Sequence, residues 1–211
     1  MSKTFPNIAL LALALAGVLG FNLPAHAATR HGWASARAAH AGATWRNASG
    51  GVTHVRGTRL SGAHGTAGHA SVTRYNPDGS IRHQGGTRIT GVNGGSFTGH
   101  NNYTRNADGS AQFSDSASGS NAAGGSMNHS GNWSRDGRGT LSGSAQTSAS
   151  GPRGSYDASS SAANGTFTHA TSAANASGET YTGSSTYTKG KGWTHTGTCT
   201  DTNGNTIPCG H

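Results

Sequence analysis

Twelve glycines divide the chain beyond residue 44 into segments of nearly constant length. Each glycine closes a four-residue stretch such as NPDG at 76–79 or NADG at 106–109, most of which begin with Asn, Asp or Gly. Successive closing glycines lie 14 or 15 residues apart as far as Gly154 and 11 to 14 apart beyond it. Regular spacing of this kind indicates a repeat protein. The closing glycines are Gly50, Gly65, Gly79, Gly94, Gly109, Gly124, Gly139, Gly154, Gly165, Gly178, Gly192 and Gly204.

The repeated tetrapeptide has the chemistry of a hairpin turn. Asn or Asp in its first position can accept a hydrogen bond from the backbone two residues on, and glycine in its fourth tolerates positive φ. A type I turn followed by a left-handed glycine is a common connection between antiparallel strands. The sequence therefore predicts an all-β fold, an antiparallel hairpin-repeat meander with about 15 residues per strand plus turn. The alternative is a flat β-solenoid with about 30 residues per coil.

The hydrophobic composition restricts how such a sheet can be stabilised. Beyond residue 27 only 12 residues of 184 are Leu, Ile, Val or Phe. A thick globular core cannot be built from so few, so order has to come from the backbone ladder and thin side-chain packing. We expect apolar pairs across hairpins to contribute, namely Val72 with Ile81, Tyr103 with Ala111, and Trp133 with Leu141.

The N-terminal segment has the features of a signal peptide, predicted to comprise residues 1–27. A basic Lys3 precedes an apolar run from Ile8 to Phe21, and Ala25-His26-Ala27 fits a signal peptidase site. The exported chain is expected to be periplasmic, cell-surface or extracellular, with no transmembrane span after cleavage. Residues 28–43 lack the turn pattern and are predicted to be a flexible arm rich in Ala and Arg. Residues 44–211 are predicted to form the β-hairpin repeat domain.

The two cysteines, Cys199 and Cys209, are predicted to form a disulfide that closes a loop at 199–209. Export removes the reducing environment that would keep both thiols free, which favours this bridge. Two free thiols, or a bridge to another chain, are the alternatives.

Positive charge is concentrated in the N-terminal half of the exported chain. Residues 28–105 contain nine arginines and one acid, Asp78, whereas residues 106–211 have a net charge of −1. An excess of positive charge in one half suggests affinity for anionic polymers such as lipopolysaccharide or extracellular DNA. The alternative is that the charges form a solvated sheet face that resists edge aggregation. The candidate anion-binding residues are Arg46, Arg56, Arg59, Arg74, Arg82, Arg88 and Arg105.

Neither a catalytic site nor a specific metal site is predicted. The sequence has no Gly-x-Ser-x-Gly, no His-Glu-x-x-His and no phosphate loop. Seven of the histidines between residues 28 and 211 precede residue 106, but none forms a His-x-His pair, so weak metal binding is the most that their spacing supports. We therefore expect no enzymatic activity and no cofactor.

The YNPDGSIR phrase at 75–82, the alternating T-x-T segments and the terminal CTDTNGNTIPCG at 199–210 resemble Gly/Ser/Thr-rich secreted β-repeat proteins of Gram-negative bacteria. The YNPDG wording is also similar to the tyrosine–aspartate repeats of large surface toxins. This resemblance extends over roughly residues 44–211 and implies an exported repeat protein, without assigning a role to any residue.

Together these features predict an exported structural or surface-interaction repeat protein. The alternative function is a periplasmic or extracellular binding module for polyanions or divalent metal, acting through residues 28–105. Self-association through sheet edges is also expected, because an open meander leaves unpaired backbone groups at its outer strands.

Overall fold

The computed structural model describes residues 28–35 and 37–209, and in this part of the chain all regular secondary structure is β-strand. The predicted signal peptide at 1–27 lies outside the described residues. The described residues form two compact units, divided between residues 107 and 108. The first unit contains β1 (Ala28–Ala34), β2 (Ala38–Arg46), β3 (Val52–Gly62), β4 (Gly65–Tyr75), β5 (Ile81–Gly91) and β6 (Ser96–Arg105). The second contains β7 (Ala111–Ser120), β8 (Ser126–Arg135), β9 (Leu141–Gly151), β10 (Gly154–Ala163), β11 (Thr166–Asn175), β12 (Thr180–Thr188), β13 (Gly192–Thr200) and β14 (Thr206–Ile207).

Within each unit, consecutive strands pair with one another and every such pair is antiparallel. In the first unit β1 pairs with β2, and the pattern continues in chain order to β6. The second unit repeats it from β7 to β14. The predicted antiparallel hairpin-repeat meander is confirmed. A solenoid would instead pair strands of successive coils, so that alternative does not describe the fold.

The turns form where the glycine spacing predicts them. All twelve glycines have positive φ, between 76° and 134°. In seven turns the closing glycine donates its N–H to the carbonyl three residues earlier, as Gly124 does to Asn121 at 3.2 Å. Asn121 Oδ1 in turn accepts from the N–H of Ala123 at 2.9 Å, the Asx bond expected of the first turn position. Three hairpins instead have two-residue connections, at Ala63-His64, Pro152-Arg153 and Asn164-Gly165, and in the last of these the two residues have φ of 51° and 76°.

Residues 28–43, predicted to be a flexible arm, form β1 and most of β2 in the structure. The turn between these strands has no glycine, which is why the repeat pattern misses it. In place of a turn glycine, the hydroxyl of Ser35 stabilises this turn by accepting a hydrogen bond from the N–H of Ala38 at 3.0 Å. Ala41 and Ala43 are buried on β2, where they pair with Gly57 and Val55 of β3. Small side chains therefore allow β2 to pack closely rather than leaving it flexible.

The register places one predicted apolar pair on opposite faces of the sheet. Tyr75, rather than Val72, pairs with Ile81, so Val72 and Ile81 point to opposite sides. Trp133 pairs with Gly143 and is a diagonal neighbour of Leu141 on the same face. Tyr75 is the cause of the difference, because it adds one residue between Arg74 and the turn. The predicted Tyr103–Ala111 pair takes one residue from each unit and remains a prediction.

The described chain has a small hydrophobic core. Ala43, Trp45, Val55 and Val72 form a buried cluster on one face of β2, β3 and β4, and Thr53 beside them is 2 % exposed. Among the described residues only Ala41 and Ala162 are further buried hydrophobic side chains. Apart from Ser71, which is 3 % exposed, the other side chains of the described strands are partly or fully exposed, as the composition predicts. No helix in this part of the chain has the length and apolar composition of a membrane span.

Candidate functional site: the arginine and histidine faces of the first unit

The seven candidate arginines do not form one cluster, because the register divides them between the two faces of the first unit. Four of them share one side of β3, β4 and β5, which we call the arginine face: Arg59, Arg74, Arg82 and Arg88. The other three lie on the opposite side: Arg46, Arg56 and Arg105. Arg46 is at the end of β2, where its guanidinium donates to the carbonyl of Gly50 at 3.1 Å.

The arginine face concentrates positive charge on three adjacent strands. Arg74 and Arg82 are directly opposite each other on β4 and β5. Arg59 and Arg88 lie on either side of Gly68, three rows along the same face from Arg74 and Arg82. The space above Gly68 is open, because a Cβ built there would have the Thr58 carbonyl oxygen as its nearest neighbour, at 3.9 Å. Like charges at such close positions repel, and a bound anion relieves that repulsion.

Asp78, in the turn at 76–80, is the one acid between residues 28 and 107. Its carboxylate accepts the N–H of Ser80 at 2.8 Å. Hydrogen bonds from Ser80 are the main cause of a lowered Asp78 pKa, and attraction to Arg82 adds to the effect. Asp78 is thus ionised and engaged in its own turn, and the arginine face keeps most of its positive charge.

The opposite side of β2–β5 has histidine and threonine in alternation, and we call it the histidine face. Four imidazoles each lie within hydrogen-bonding distance of a threonine hydroxyl on the neighbouring strand. The Nδ1–Oγ1 distances are 3.0 Å for His40 and Thr58, 2.7 Å for His54 and Thr44, 3.0 Å for His69 and Thr87, and 2.8 Å for His83 and Thr73. Cross-strand pairs of this kind stabilise a sheet, which gives these histidines a structural role.

Arg56 lies among these histidines and donates through Nε to the hydroxyl of Ser71 at 3.1 Å. The pKa of His83 is lowered, first by partial burial and then by the positive charges of Arg56 and His69. His83 is therefore neutral near pH 7, and protonating this face meets increasing repulsion.

The histidines do not converge on a common point. Among the described residues, no three His, Cys, Asp or Glu side chains are grouped closely enough to hold a metal ion. His31 and His40 have ring centroids 5.7 Å apart, which is a contact between two side chains on neighbouring strands. The geometry therefore gives metal binding no defined site in this part of the chain.

The second unit has a row of aromatic residues that sequence reasoning did not identify as a group. Trp133, Phe167, Tyr187 and Trp193 lie on one face, in register across β8–β13, and we call them the aromatic strip. Ring centroids are 6.4 Å apart for Trp133 and Phe167, 6.4 Å for Phe167 and Trp193, and 5.2 Å for Tyr187 and Trp193. No local sequence signal places them in one row, because that alignment depends on the register of every strand from β8 to β13.

The predicted disulfide is present between Cys199 and Cys209, whose Cα atoms are 5.3 Å apart. Cys199 lies on β13 and pairs with Ile207 of the two-residue strand β14. The bridge therefore holds the C-terminal segment against the last long strand.

A comparison with protein-family models, a search of curated proteins and a search of solved structures each found no match.

Proposed function

We propose that this chain is an exported structural or surface-interaction repeat protein without catalytic activity. The observation that carries the proposal is the distribution of side chains over the sheet. Only six hydrophobic residues are buried in the described part of the chain, and the strands present the rest on two faces. Most side chains of such a chain are therefore at its surface, where they can contact other molecules or further copies of the protein.

Two observations support export. The bridge between Cys199 and Cys209 fits an oxidising compartment. The N-terminal sequence has the features of a cleaved signal peptide. Periplasm, cell surface and extracellular space are all compatible with this proposal, and the absence of known catalytic motifs from the sequence supports a non-enzymatic role.

Sedimentation velocity of the exported protein over a wide concentration range tests the structural role. We expect assemblies whose size grows with concentration, because outer strands present unpaired N–H and C=O groups. Fractionation of the native host tests the surface-interaction role, and there we expect the protein in the cell-envelope fraction. A protein that stays monomeric at high concentration and is found only free in solution would contradict the proposal.

A second candidate function is polyanion binding by the first unit, and the arginine face is the observation that favours it. Four arginines on three adjacent strands supply the positive charge that phosphate-rich or sulfate-rich polymers require. Since the described histidines form no metal group, we confine this candidate to anionic polymers. Retention on heparin or lipopolysaccharide that weakens steeply with salt is the expected behaviour.

Paired charge removal tests whether that retention depends on location. The double variant Arg59→Gln, Arg88→Gln removes two charges from the arginine face. The control Arg138→Gln, Arg153→Gln removes two charges from the second unit. We expect the first variant to elute from heparin at clearly lower salt and the control to elute close to the parent. Equal shifts in both would show that net charge, rather than the arginine face, determines binding.

A further inference from the structure

The aromatic strip of the second unit has small residues in the row between two of its rings. Trp133 and Phe167 are on β8 and β11, so two strands lie between them and their backbones are about 14 Å apart at the usual strand spacing. Their ring centroids are nevertheless only 6.4 Å apart, with planes inclined by 27°. Both rings must therefore lean toward each other over the intervening strands β9 and β10.

Gly143 and Ala162 occupy the row between these two rings. A Cβ built on Gly143 would lie 2.9 Å from the Trp133 ring and closer still to the backbone of β8, so only glycine leaves room for the indole. Ala162 is 6 % exposed, as expected for a residue covered by the rings. The small residues between Trp133 and Phe167 thus leave the space in which these two rings meet.

The strip is accessible to a ligand at its outer end. Trp193 is 68 % exposed and Tyr187 is 38 % exposed. Their rings are 5.2 Å apart, so two exposed aromatic groups lie side by side. Exposed aromatic rings in contact with each other are costly to leave in water, and such groups are typical of binding surfaces.

A row of polar groups runs parallel to the strip on the same face, two residues along each strand. Ser160 Oγ lies 2.9 Å from His169 Nδ1, and Ser185 Oγ lies 2.8 Å from His195 Nδ1. Asp115, in the same row, has its Oδ2 atom 2.7 Å from Nε2 of His129. At about 3.4 Å per residue the polar row is about 7 Å from the aromatic row. A ligand lying on the rings would therefore meet hydroxyl and imidazole groups along one edge.

Fixed charge is sparse on the face of the strip. Among the side chains of β7–β13 on this face, Asp115 and Arg135 are the only Asp, Glu, Lys or Arg, and Lys189 and Lys191 lie in the turn between Tyr187 and Trp193. A nucleic acid stacks bases on aromatic rings but also needs basic residues along its phosphates. The strip has no row of basic residues along its length, so it suits an uncharged ligand.

We propose that the aromatic strip binds a neutral, extended polysaccharide lying along the row from Trp133 to Trp193. Each pyranose ring has a face of C–H groups that packs on the electron-rich face of an aromatic ring, and its hydroxyls then reach the parallel row of Ser and His. An extended glucan of the cellulose type matches a straight row of this kind. The site is separate from the arginine face, and it goes beyond the proposed function by naming a ligand class.

Depletion of the exported protein from solution by swollen cellulose and by chitin tests the site. We expect retention on at least one of these polymers, with little change when salt is added, because no charge is involved. Soluble cello-oligosaccharide should also change the tryptophan fluorescence. The variant Trp193→Ala should weaken retention by about tenfold or more, the loss typical of truncating a central aromatic anchor. Tyr187→Ala should weaken it to a smaller extent.

Two control variants remove aromatic side chains of similar exposure from other places. Tyr156→Ala removes a 39 % exposed ring from the same face but outside the strip, and Trp33→Ala removes a 54 % exposed indole from the first unit. Both should bind like the parent, and far-UV circular dichroism should show all four variants folded. The proposal is overturned if the parent binds neither polymer or if the controls lose as much binding as Trp193→Ala. Retention of single-stranded DNA in place of these polymers, lost in Trp193→Ala, would overturn it as well.

Discussion

His83 Nδ1 and Thr73 Oγ1 lie 2.8 Å apart across β4 and β5, the same pairing that joins three other histidines to threonines on this face. The imidazole in this contact has a lowered pKa, because it is partly buried and Arg56 and His69 are close to it. His54 and Tyr103 lie in the same row of neighbouring strands and complete the titratable groups around it. The fold therefore favours the neutral imidazole of His83.

We predict that the stability of the first unit falls as pH falls through the ordinary histidine range. The unfolded chain then binds a proton that the folded His83 resists, so protonation favours unfolding, and the loss begins below about pH 6.5. Thermal unfolding at several pH values measures it. NMR titration of the imidazole should show Arg56→Gln raising the His83 pKa, since a positive neighbour is removed. Arg59→Gln on the opposite face is the control, and an equal rise there would contradict the local origin of the shift.

Gly79 and Gly62 provide a direct test of the turn argument. A Cβ built on either glycine meets nothing within 4 Å, but Gly79 has φ of +82° and Gly62 is outside the left-handed region. We predict that Gly79→Ala lowers the free energy of unfolding by about 1–2 kcal/mol, the cost of left-handed backbone for a residue with a Cβ. Gly62→Ala should be neutral or stabilising by up to about 1 kcal/mol. Denaturant unfolding measures both, and equal effects would remove positive φ as the explanation.

The carboxylate of Asp136 makes the stability of its turn dependent on pH in the acid range. Its Oδ1 accepts the N–H of Arg138 at 2.9 Å and that of Thr140 at 2.8 Å, and these bonds, Thr140 first, lower its pKa. A carboxyl with a lowered folded pKa stabilises above its unfolded pKa, and that stability is lost as pH falls through the folded pKa. We predict that unfolding between about pH 5 and pH 2 is less acid-dependent in Asp136→Asn, because the amide oxygen still accepts both bonds.

The control for that prediction is already in the chain. Asn121 occupies the same turn position and accepts the N–H groups of Ala123 and Gly125, each at 2.9 Å. Asn121→Asp should therefore make the protein more acid-dependent, in the opposite direction to Asp136→Asn. Melting temperatures of both variants across the acid range check the pair, and a shift of the same sign in both would contradict the turn mechanism.

The sequence predicts the turns well because their chemistry is local. A glycine at positive φ and an Asn or Asp three residues earlier need no information from the rest of the chain, and all twelve glycines adopt the expected conformation. The faces are harder to predict, because one inserted residue such as Tyr75 reverses which side chains meet. For this reason the sequence pattern pairs Val72 with Ile81, although the two side chains lie on opposite faces of the sheet. The pattern also groups seven arginines that the sheet divides between its two faces.

Features that depend on distant residues could not be predicted from local patterns. The Trp133–Phe167 contact joins residues 34 positions apart, and it depends on Gly143 and Ala162 being small in the row between them. The β1–β2 hairpin has no turn glycine and depends on Ser35 and on packing of β2 against β3. Both require the register of several strands at once, which composition and spacing do not contain.

The outer strands lead to a final prediction about assembly. In the second unit β14 pairs only with Cys199 and Thr200 of β13, so most of the outer edge of β13 has no partner strand among the described residues. In the first unit β1 pairs with β2 along its whole length and has an exposed Trp33, 54 % accessible, near its end. Edges of this kind pair with other chains unless they are blocked. The Cys199–Cys209 bridge holds Pro208 and Cys209 near β13, where they obstruct such pairing.

We predict that reducing this disulfide lengthens the assemblies, because releasing the C-terminal segment exposes the last part of the β13 edge. Light scattering at high protein concentration, with and without reductant, measures the change. The double variant Cys199→Ala, Cys209→Ala is the control: it should form long assemblies without reductant and should not respond when reductant is added. A protein that remains monomeric under both conditions would show that its strand edges are covered, and edge-to-edge association would then have to be abandoned.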